Sequence, residues 1–298
     1  MNTSKKWRKP LFRQPENYLD HLVGVFGHPV AENPGVVIQE AAFEDMGLAR
    51  WRFLTIDVES QDLGAAIEGL KTFKMRGINC TIPHKIQVLK YLDRLSESAA
   101  LIGAVNTIVN EDGKLYGDNT DGKGFMEALR ENGMQPKGKR VVILGAGGAA
   151  RAISVELSLA GAGHITIVNR PQDMLLGDSL MALLKRMRQA AAYVSWEKTY
   201  EVPADTDILI NATPIGLYPN VDQIPDIQLD SILPSMFVQD VIPNPAITPF
   251  LRAAEARGAK WSTGMGMLVN QAAINIEMWT GKKPNKQVMY KALEAALD

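Results

Sequence analysis

The chain has one cysteine, four histidines and no run of eighteen apolar residues, and each scarcity removes a class of function. Cys80 alone can form no intrachain disulfide and no cysteine-rich metal site, and it fits a reducing compartment. It reads as a small buried hydrophobe beside a polar loop rather than as a nucleophile, because no activating base stands near it. No metal site is expected. Excess charge is also missing: 32 basic residues oppose 33 acidic ones, a net charge of −1. That balance gives no global field for nucleic acid. The cluster Lys5-Lys6-Trp7-Arg8-Lys9 is too short to change it and reads as a frayed terminus or a small interface arm. The start of the chain lacks the basic-then-apolar pattern of a leader, and no stretch suits a membrane, so a soluble cytoplasmic protein is expected.

What is present is a core-forming composition. At 298 residues and 46% apolar side chains, the chain can bury enough surface for two modest domains. Apolar β-type runs at 22–27, 52–57 and 78–82 alternate with helical periodicity over 36–48, 63–74 and 86–95. Runs at 107–110 and 114–117 flank Glu111-Asp112-Gly113, a hairpin signal. This first part reads as an α/β unit with a mostly parallel sheet and one antiparallel addition. After a helix over 122–133, a second βαβ series follows, with strands near 141–144, 165–168, 191–195, 207–210 and 237–241. Helices over 267–279 and 286–297 close the chain. There are no internal repeats or low-complexity tracts.

The second series opens on Val141-Val142-Ile143-Leu144-Gly145-Ala146-Gly147-Gly148-Ala149-Ala150, a strand running into a glycine turn and then a helix. The form G-x-G-x-x-A lets the backbone approach a pyrophosphate, and the helix start offers free N–H groups and a positive dipole end. In that context Gly145, Ala146, Gly147, Gly148 and Ala149 are candidates for holding a dinucleotide. The next strand ends in Asn169-Arg170 rather than in an acid. Arg170 can stack on adenine and meet a 2′-phosphate, which points to NADP, whereas Asp173 would repel that phosphate and points to NAD. Both nucleotides are carried forward.

The chain resembles the shikimate and quinate dehydrogenase family from about Gly24 to Gly281. The resemblance rests on Asn79-x-Thr81-Ile82-Pro83-x-Lys85, Gly103-Ala104-Val105-Asn106-Thr107, Asn119-Thr120-Asp121-Gly122, Asn211-Ala212-Thr213-Pro214-x-Gly216 and Gly264-x-Gly266-Met267-Leu268-Val269-x-Gln271. It implies a substrate domain made of residues 1–121 with 264–298, and a Rossmann-type, doubly wound nucleotide domain over 122–263. It also implies hydride transfer between a nicotinamide and a ring carbon of shikimate or quinate, within aromatic amino-acid biosynthesis, by a monomer or a homodimer.

The residues make chemical sense beside the name. Oxidising an alcohol needs a base for its proton, and reducing the ketone needs an acid. A lysine can serve, with a carboxylate fixing its direction. Lys85 and Asp121 look like the family's catalytic pair. Asn33, Thr81, Asn106, Asn119 and Gln271 are candidate hydroxyl-binding groups, since an amide both donates and accepts. Asn79 and Thr107 read equally well as turn or cap residues. Thr213 and Pro214 resemble the family's loop beside the nicotinamide, and Gly264 would permit close approach by its ring.

Two departures concern the far end of the substrate. The family usually carries Ser-x-Ser where this chain has Asn33-Pro34-Gly35, and commonly a tyrosine where it has Pro243. Those hydroxyls grip a carboxylate. Each charge-assisted hydrogen bond lost there costs about 1.5–3 kcal/mol, so two or three losses mean roughly a hundredfold or more in affinity. Either other groups, such as the Asn33 side chain or the Gly35 N–H, replace them, or the substrate is a different cyclic polyol with an altered or absent carboxylate. A non-catalytic nucleotide-binding sensor is the third reading, and the joint presence of Lys85 and Asp121 counts against it.

Overall fold

The computed structural model describes residues 18–297. The Lys5–Lys9 cluster lies outside them. In chain order the elements are β1 (His21–Gly27), α1 (Gly35–Asp45), β2 (Trp51–Asp57), α2 (Leu63–Thr72), β3 (Gly77–Cys80), α3 (His84–Gln87), β4 (Arg94–Leu95), α4 (Glu97–Ile102), β5 (Thr107–Glu111), β6 (Lys114–Asp118) and α5 (Thr120–Glu131). Then come β7 (Arg140–Leu144), α6 (Gly148–Leu159), β8 (His164–Asn169), α7 (Met174–Arg186), β9 (Ala191–Ser195), β10 (Ile208–Asn211), β11 (Phe237–Asp240), α8 (Pro249–Ala256), β12 (Lys260–Ser262), α9 (Gly264–Thr280) and α10 (Lys286–Leu297).

These strands form two six-stranded sheets. The first runs β2-β1-β3-β5-β6-β4, parallel except where β5 pairs with β3 and β6. Its β5–β6 hairpin turns through Asp112 and Gly113, both at positive φ, the combination a tight two-residue hairpin turn requires. Register pairs Thr107 with Asp118, so the residues just outside the hairpin, Asn106 and Asn119, emerge side by side. Apolar faces are covered on both sides, by α2 residues such as Leu63 and Ile67 on one and by α1 and α9 residues such as Ile38, Val269 and Ile276 on the other. Both α9 and α10 lie against α1. Trp279 of α9 reaches across to donate its indole N–H to the Ile108 carbonyl (3.0 Å).

The second sheet is all parallel, in the order β12-β11-β10-β7-β8-β9. Read from the opposite edge it is third, second, first, fourth, fifth, sixth, so the order in which strands are added reverses between β7 and β10. Ligands of such sheets bind at that reversal, outside the carboxyl ends of the strands. The glycine turn follows β7 directly.

Several boundaries differ from the sequence reading. The strand expected over 78–82 ends at Cys80, and the helix expected over 86–95 is one α turn, then a 3-10 turn over Val88–Tyr91 and the short β4. Strands β4 and β12 were not anticipated, being two and three residues long.

Candidate active site

The hairpin register explains how two separated motifs meet. Asn106 donates its backbone N–H to the Asp118 carbonyl (3.1 Å), which sets it beside the start of α5. Asn119 caps that helix, its side-chain oxygen accepting from Asp121 N–H (3.2 Å). Lys85 is tied to the same corner through its carbonyl, which accepts from Val105 N–H (2.8 Å). The result is a direct ion pair: Lys85 Nζ donates to Asp121 Oδ2 at 2.6 Å. The other oxygen, Oδ1, accepts from Asn106 Nδ2 at 2.8 Å. Both oxygens of the carboxylate are therefore held.

Lys85 and Asp121 are 32% and 19% exposed, so the pair opens onto a cavity rather than lying sealed in the core. That cavity measures ≈ 130 Å³ and is bordered by Asn33, Thr81, Lys85, Asn106, Asp121 and Gln271 from the sequence-derived set, and by Asn79. Behind it a hydrogen-bonded chain fixes the wall. Thr107 and Thr120 hydroxyls donate to Asn275 Oδ1 (2.7 and 2.8 Å), and Asn275 Nδ2 donates to Gln271 Oε1 (3.0 Å). Asn106 Oδ1 accepts from Thr120 N–H (2.7 Å), so Asn106 spends its amide on placing Asp121. Asn119 is 2% exposed, gives its amide N–H to the Ala104 carbonyl and does not border the cavity; its place is that of a helix cap. Burial pushes the Cys80 thiol up to about 12, so it stays protonated.

At the departures from Ser-x-Ser, Asn33 Oδ1 accepts from Gly35 N–H at 2.8 Å. The Gly35 N–H is thus consumed within the loop and is not offered to a ligand, contrary to one of the replacements considered above. The two positions are matched, since a Cβ on Gly35 would stand 2.8 Å from Asn33 Oδ1. Pro243 does not border the cavity. Among the described residues Lys85 is the one cationic side chain on its wall, and Asp121 already pairs with it. Gln39, which the sequence reading passed over, borders the cavity from α1. A glutamine on the buried stripe Ile38, Ala42, Phe43 was the available signal.

The second cavity, ≈ 340 Å³, opens at the carboxyl ends of β7, β8 and β10. Gly145, Ala146, Gly147, Asn169, Arg170, Thr213 and Pro214 border it; Gly148, Ala149 and Gly264 do not. Gly264 instead backs onto the Ile242 backbone, leaving 2.4 Å for any Cβ. Gly145 takes φ +100°, and a Cβ there would crowd Thr213. Above Gly147 and Gly148 a Cβ would meet nothing within 4 Å, and α6 starts with no side-chain cap, so its first N–H groups face open space. A glycine cradle with an uncapped helix start fits a dinucleotide pyrophosphate. Further out, Arg170 pairs with Asp173, and Glu197 and Asp226 add acid to the rim. Trp196 also borders this cavity. Its backbone N–H is fixed to the Asn169 carbonyl (2.9 Å) and its indole N–H to the Asp226 carbonyl (3.0 Å), which makes it a rigid apolar wall beside Arg170. A lone tryptophan just past the third strand was its only sequence signal.

The two halves meet at Gly122 of α5, where a Cβ would stand 2.6 Å from the Ala152 carbonyl oxygen of α6. Helix α5 starts at the lysine–carboxylate pair, and α6 starts at the glycine turn. Among the described residues no group of acidic, histidine or cysteine side chains could hold a metal, and no helix is long and apolar enough to cross a membrane.

A doubly wound nucleotide sheet beside a polar cavity with a lysine–carboxylate pair defines an NAD(P)-dependent alcohol dehydrogenase. Family models for the shikimate dehydrogenase substrate binding domain and the shikimate 5′-dehydrogenase C-terminal domain match residues 25–108 and 264–294. The shikimate dehydrogenase (NADP(+)) of Desulforamulus reducens is 39% identical over 275 residues, 91% of this chain and 94% of that one. The chain belongs to the shikimate dehydrogenase family, and its cofactor is NADP or NAD. Among solved structures, the 5-ketofructose reductase of Gluconobacter sp. strain CHM43 is 46% identical, with a TM-score of 0.89 over 94% of this chain and 99% of that one. The shikimate 5-dehydrogenase of Listeria monocytogenes, in complex with shikimate and NAD, is 32% identical with a TM-score of 0.86, covering 91% and 96%.

Proposed function

We propose that the enzyme interconverts a ketone and a secondary alcohol on a small uncharged polyol, with Lys85 and Asp121 as its acid–base pair. The observation that carries this reading is the cavity wall: Lys85 already faces Asp121, and among the described residues no second cation or hydroxyl pair borders the cavity to meet a carboxylate. A bound NAD(P)H supplies hydride to the carbonyl carbon. Lys85 Nζ gives its proton to the carbonyl oxygen, which becomes the hydroxyl, and the lysine regains a proton from solvent through the open cavity. In oxidation the same nitrogen takes the hydroxyl proton. Asp121, held at both oxygens, keeps Nζ aimed and balances its charge. Of the sequence-derived residues on the cavity, Thr81 Oγ1 and Asn33 Nδ2 are left to meet substrate hydroxyls, whereas the Gln271 amide is engaged at both ends, by Asn275 at Oε1 and by the Leu268 carbonyl at Nε2. Likeness to a 5-ketofructose reductase supports a neutral keto-polyol.

Shikimate is the second reading, supported by relatives near 40% identity that carry that name and by the complete Lys85–Asp121 motif set. Initial rates with 5-ketofructose, shikimate and quinate, each with NADP(H) and NAD(H), test both. The neutral reading expects the highest kcat/KM with 5-ketofructose. A higher value with shikimate would reject it.

A further inference from the structure

Asn275 of α9 is wholly buried and borders neither cavity, yet a series of hydrogen bonds joins its side chain to the Lys85–Asp121 pair. Both ends of the series are anchored by backbone groups that act in one sense only. At one end the Leu268 carbonyl can only accept, so the Gln271 nitrogen faces it (3.1 Å) and the Gln271 oxygen faces Asn275. That oxygen calls for the Asn275 nitrogen, which donates to it at 3.0 Å and turns Asn275 Oδ1 toward the hydroxyls of Thr107 and Thr120. At the other end the Thr120 N–H can only donate, so Asn106 Oδ1 accepts it (2.7 Å) and Asn106 Nδ2 faces Asp121 Oδ1 (2.8 Å).

The two threonine hydroxyls lie between Asn275 and Asn106, and each has one proton to place. Thr107 Oγ1 is 2.7 Å from Asn275 Oδ1 and 3.1 Å from Asn106 Oδ1, and for Thr120 Oγ1 the distances are 2.8 and 3.2 Å. Asn275 is the nearer acceptor for both. With their protons drawn to Asn275, the hydroxyl oxygens accept in turn, Thr120 from Asn106 Nδ2 (3.1 Å) and Thr107 from Asn79 Nδ2 (3.0 Å). Without the Asn275 oxygen, both hydroxyl protons turn to Asn106 Oδ1. Together with the Thr120 N–H that makes three donors for the two lone pairs of one amide oxygen. Asn106 is then pulled from the orientation in which it holds Asp121. We infer that Asn275 is a positioning residue for the reaction: by taking both threonine protons it keeps Asn106 aimed at Asp121, and so holds the carboxylate against Lys85. The inference rests on the acid–base role given to Lys85 and Asp121 above and extends it to a side chain that touches neither.

The test uses Asn275→Leu, which removes both polar ends at similar volume, assayed with whichever of 5-ketofructose, shikimate and quinate the wild type turns over fastest. NADPH titration counts the binding-competent sites, and kcat is expressed per site. It should fall about ten- to a hundredfold, while the Kd for NADPH stays within about twofold. Asn275→Asp, kept neutral by burial, has the same acceptor oxygen and an O–H in place of the N–H, so it should retain more of kcat than Asn275→Leu. A residue that only supports the fold would lower Tm and the number of sites and leave kcat per site unchanged, and that outcome overturns the inference. So does an equal loss of kcat per site in the Asp and Leu variants. Should Asn275→Leu fail to fold, Asn275→Ala takes its place with the same expectations. Full turnover by Lys85→Ala rejects the acid–base reading itself, and it does so without reference to any Asn275 variant.

Discussion

Lys85 Nζ and Asp121 Oδ2 stand 2.6 Å apart although thirty-six residues separate them, and Asn106 holds the opposite carboxylate oxygen at 2.8 Å. The three side chains come from a helical turn, a helix start and a strand end, joined by the β5–β6 register. A carboxylate bound at both oxygens is held against rotation away from its lysine, so the orientation of the pair is set by the fold.

Lys85→Ala should lower kcat by roughly 10²–10⁴, the usual worth of a positioned acid–base group, while the Kd for NADP(H) stays within about twofold. Stopped-flow turnover and dinucleotide titration measure the two separately. Retained turnover would remove Lys85 from the chemistry.

Restoring serines at the substrate end should depend on order. A Cβ on Gly35 would stand 2.8 Å from Asn33 Oδ1, the far end of a side chain that can turn aside by giving up its bond to Gly35 N–H, so Gly35→Ser alone should lose about 1 kcal/mol, the usual net worth of one hydrogen bond. Asn33→Ser removes the obstructing oxygen, and the pair should be better tolerated than Gly35→Ser. Adding Pro243→Tyr should raise kcat/KM for shikimate by roughly a hundredfold if carboxylate grip is the only defect. Denaturant melts and shikimate kinetics on the single, double and triple variants decide it.

Nucleotide choice should turn on Asp173. Its carboxylate neutralises Arg170 at the rim, where a 2′-phosphate would need that guanidinium. Exposed pairs of this kind are worth about 0.5–1 kcal/mol, so Asp173→Asn should lower the KM for NADP roughly two- to fivefold and leave that for NAD nearly unchanged. Raising ionic strength should shrink the difference.

Asp240 sets a pH dependence on stability. It is buried behind the Asn211–Thr213 loop, and desolvation raises its carboxyl to about 6, against hydrogen bonds from Thr248, Ile242 and Asn211 that lower it. The folded state therefore holds this proton between about pH 4 and 6 while the unfolded chain has released it. Stability should fall as pH rises through that window, by on the order of 3 kcal/mol from this group. Comparing Tm between pH 4 and 7 for wild type and Asp240→Asn isolates the contribution. An identical pH dependence in the two would exclude Asp240 as its source.

Much of the candidate site was legible because it lies in short ordered runs. Lys85, Asn106 and Asp121 were readable as chemistry because each stands in a polar motif at the edge of an apolar strand. Gly145 was readable because its φ of +100° admits few other residues, and Gly147 because it follows in a recognisable strand–turn–helix run. Gln39 was not, since it sits on the buried stripe of a helix, and a polar residue there becomes informative only once the cavity it borders is known. By sequence an amide at Asn119, beside Asp121, can bind a ligand or cap a helix, and its side-chain hydrogen bonds to Asp121 N–H and the Ala104 carbonyl assign it to the cap. Trp196 carried no motif; the β8–β9 register puts it beside Arg170.

From the sequence alone came the two α/β sheets and the glycine turn, because periodicity and turn chemistry are local properties, and the Lys85 and Asp121 motifs with the missing hydroxyls, because each lies in a short run that resembles its family. Tertiary structure decided which amides are spent on the scaffold and which remain for a ligand. That division depends on hydrogen bonds between residues far apart in the chain, such as Thr107 with Asn275, and no local pattern encodes whether a polar atom has already found its partner.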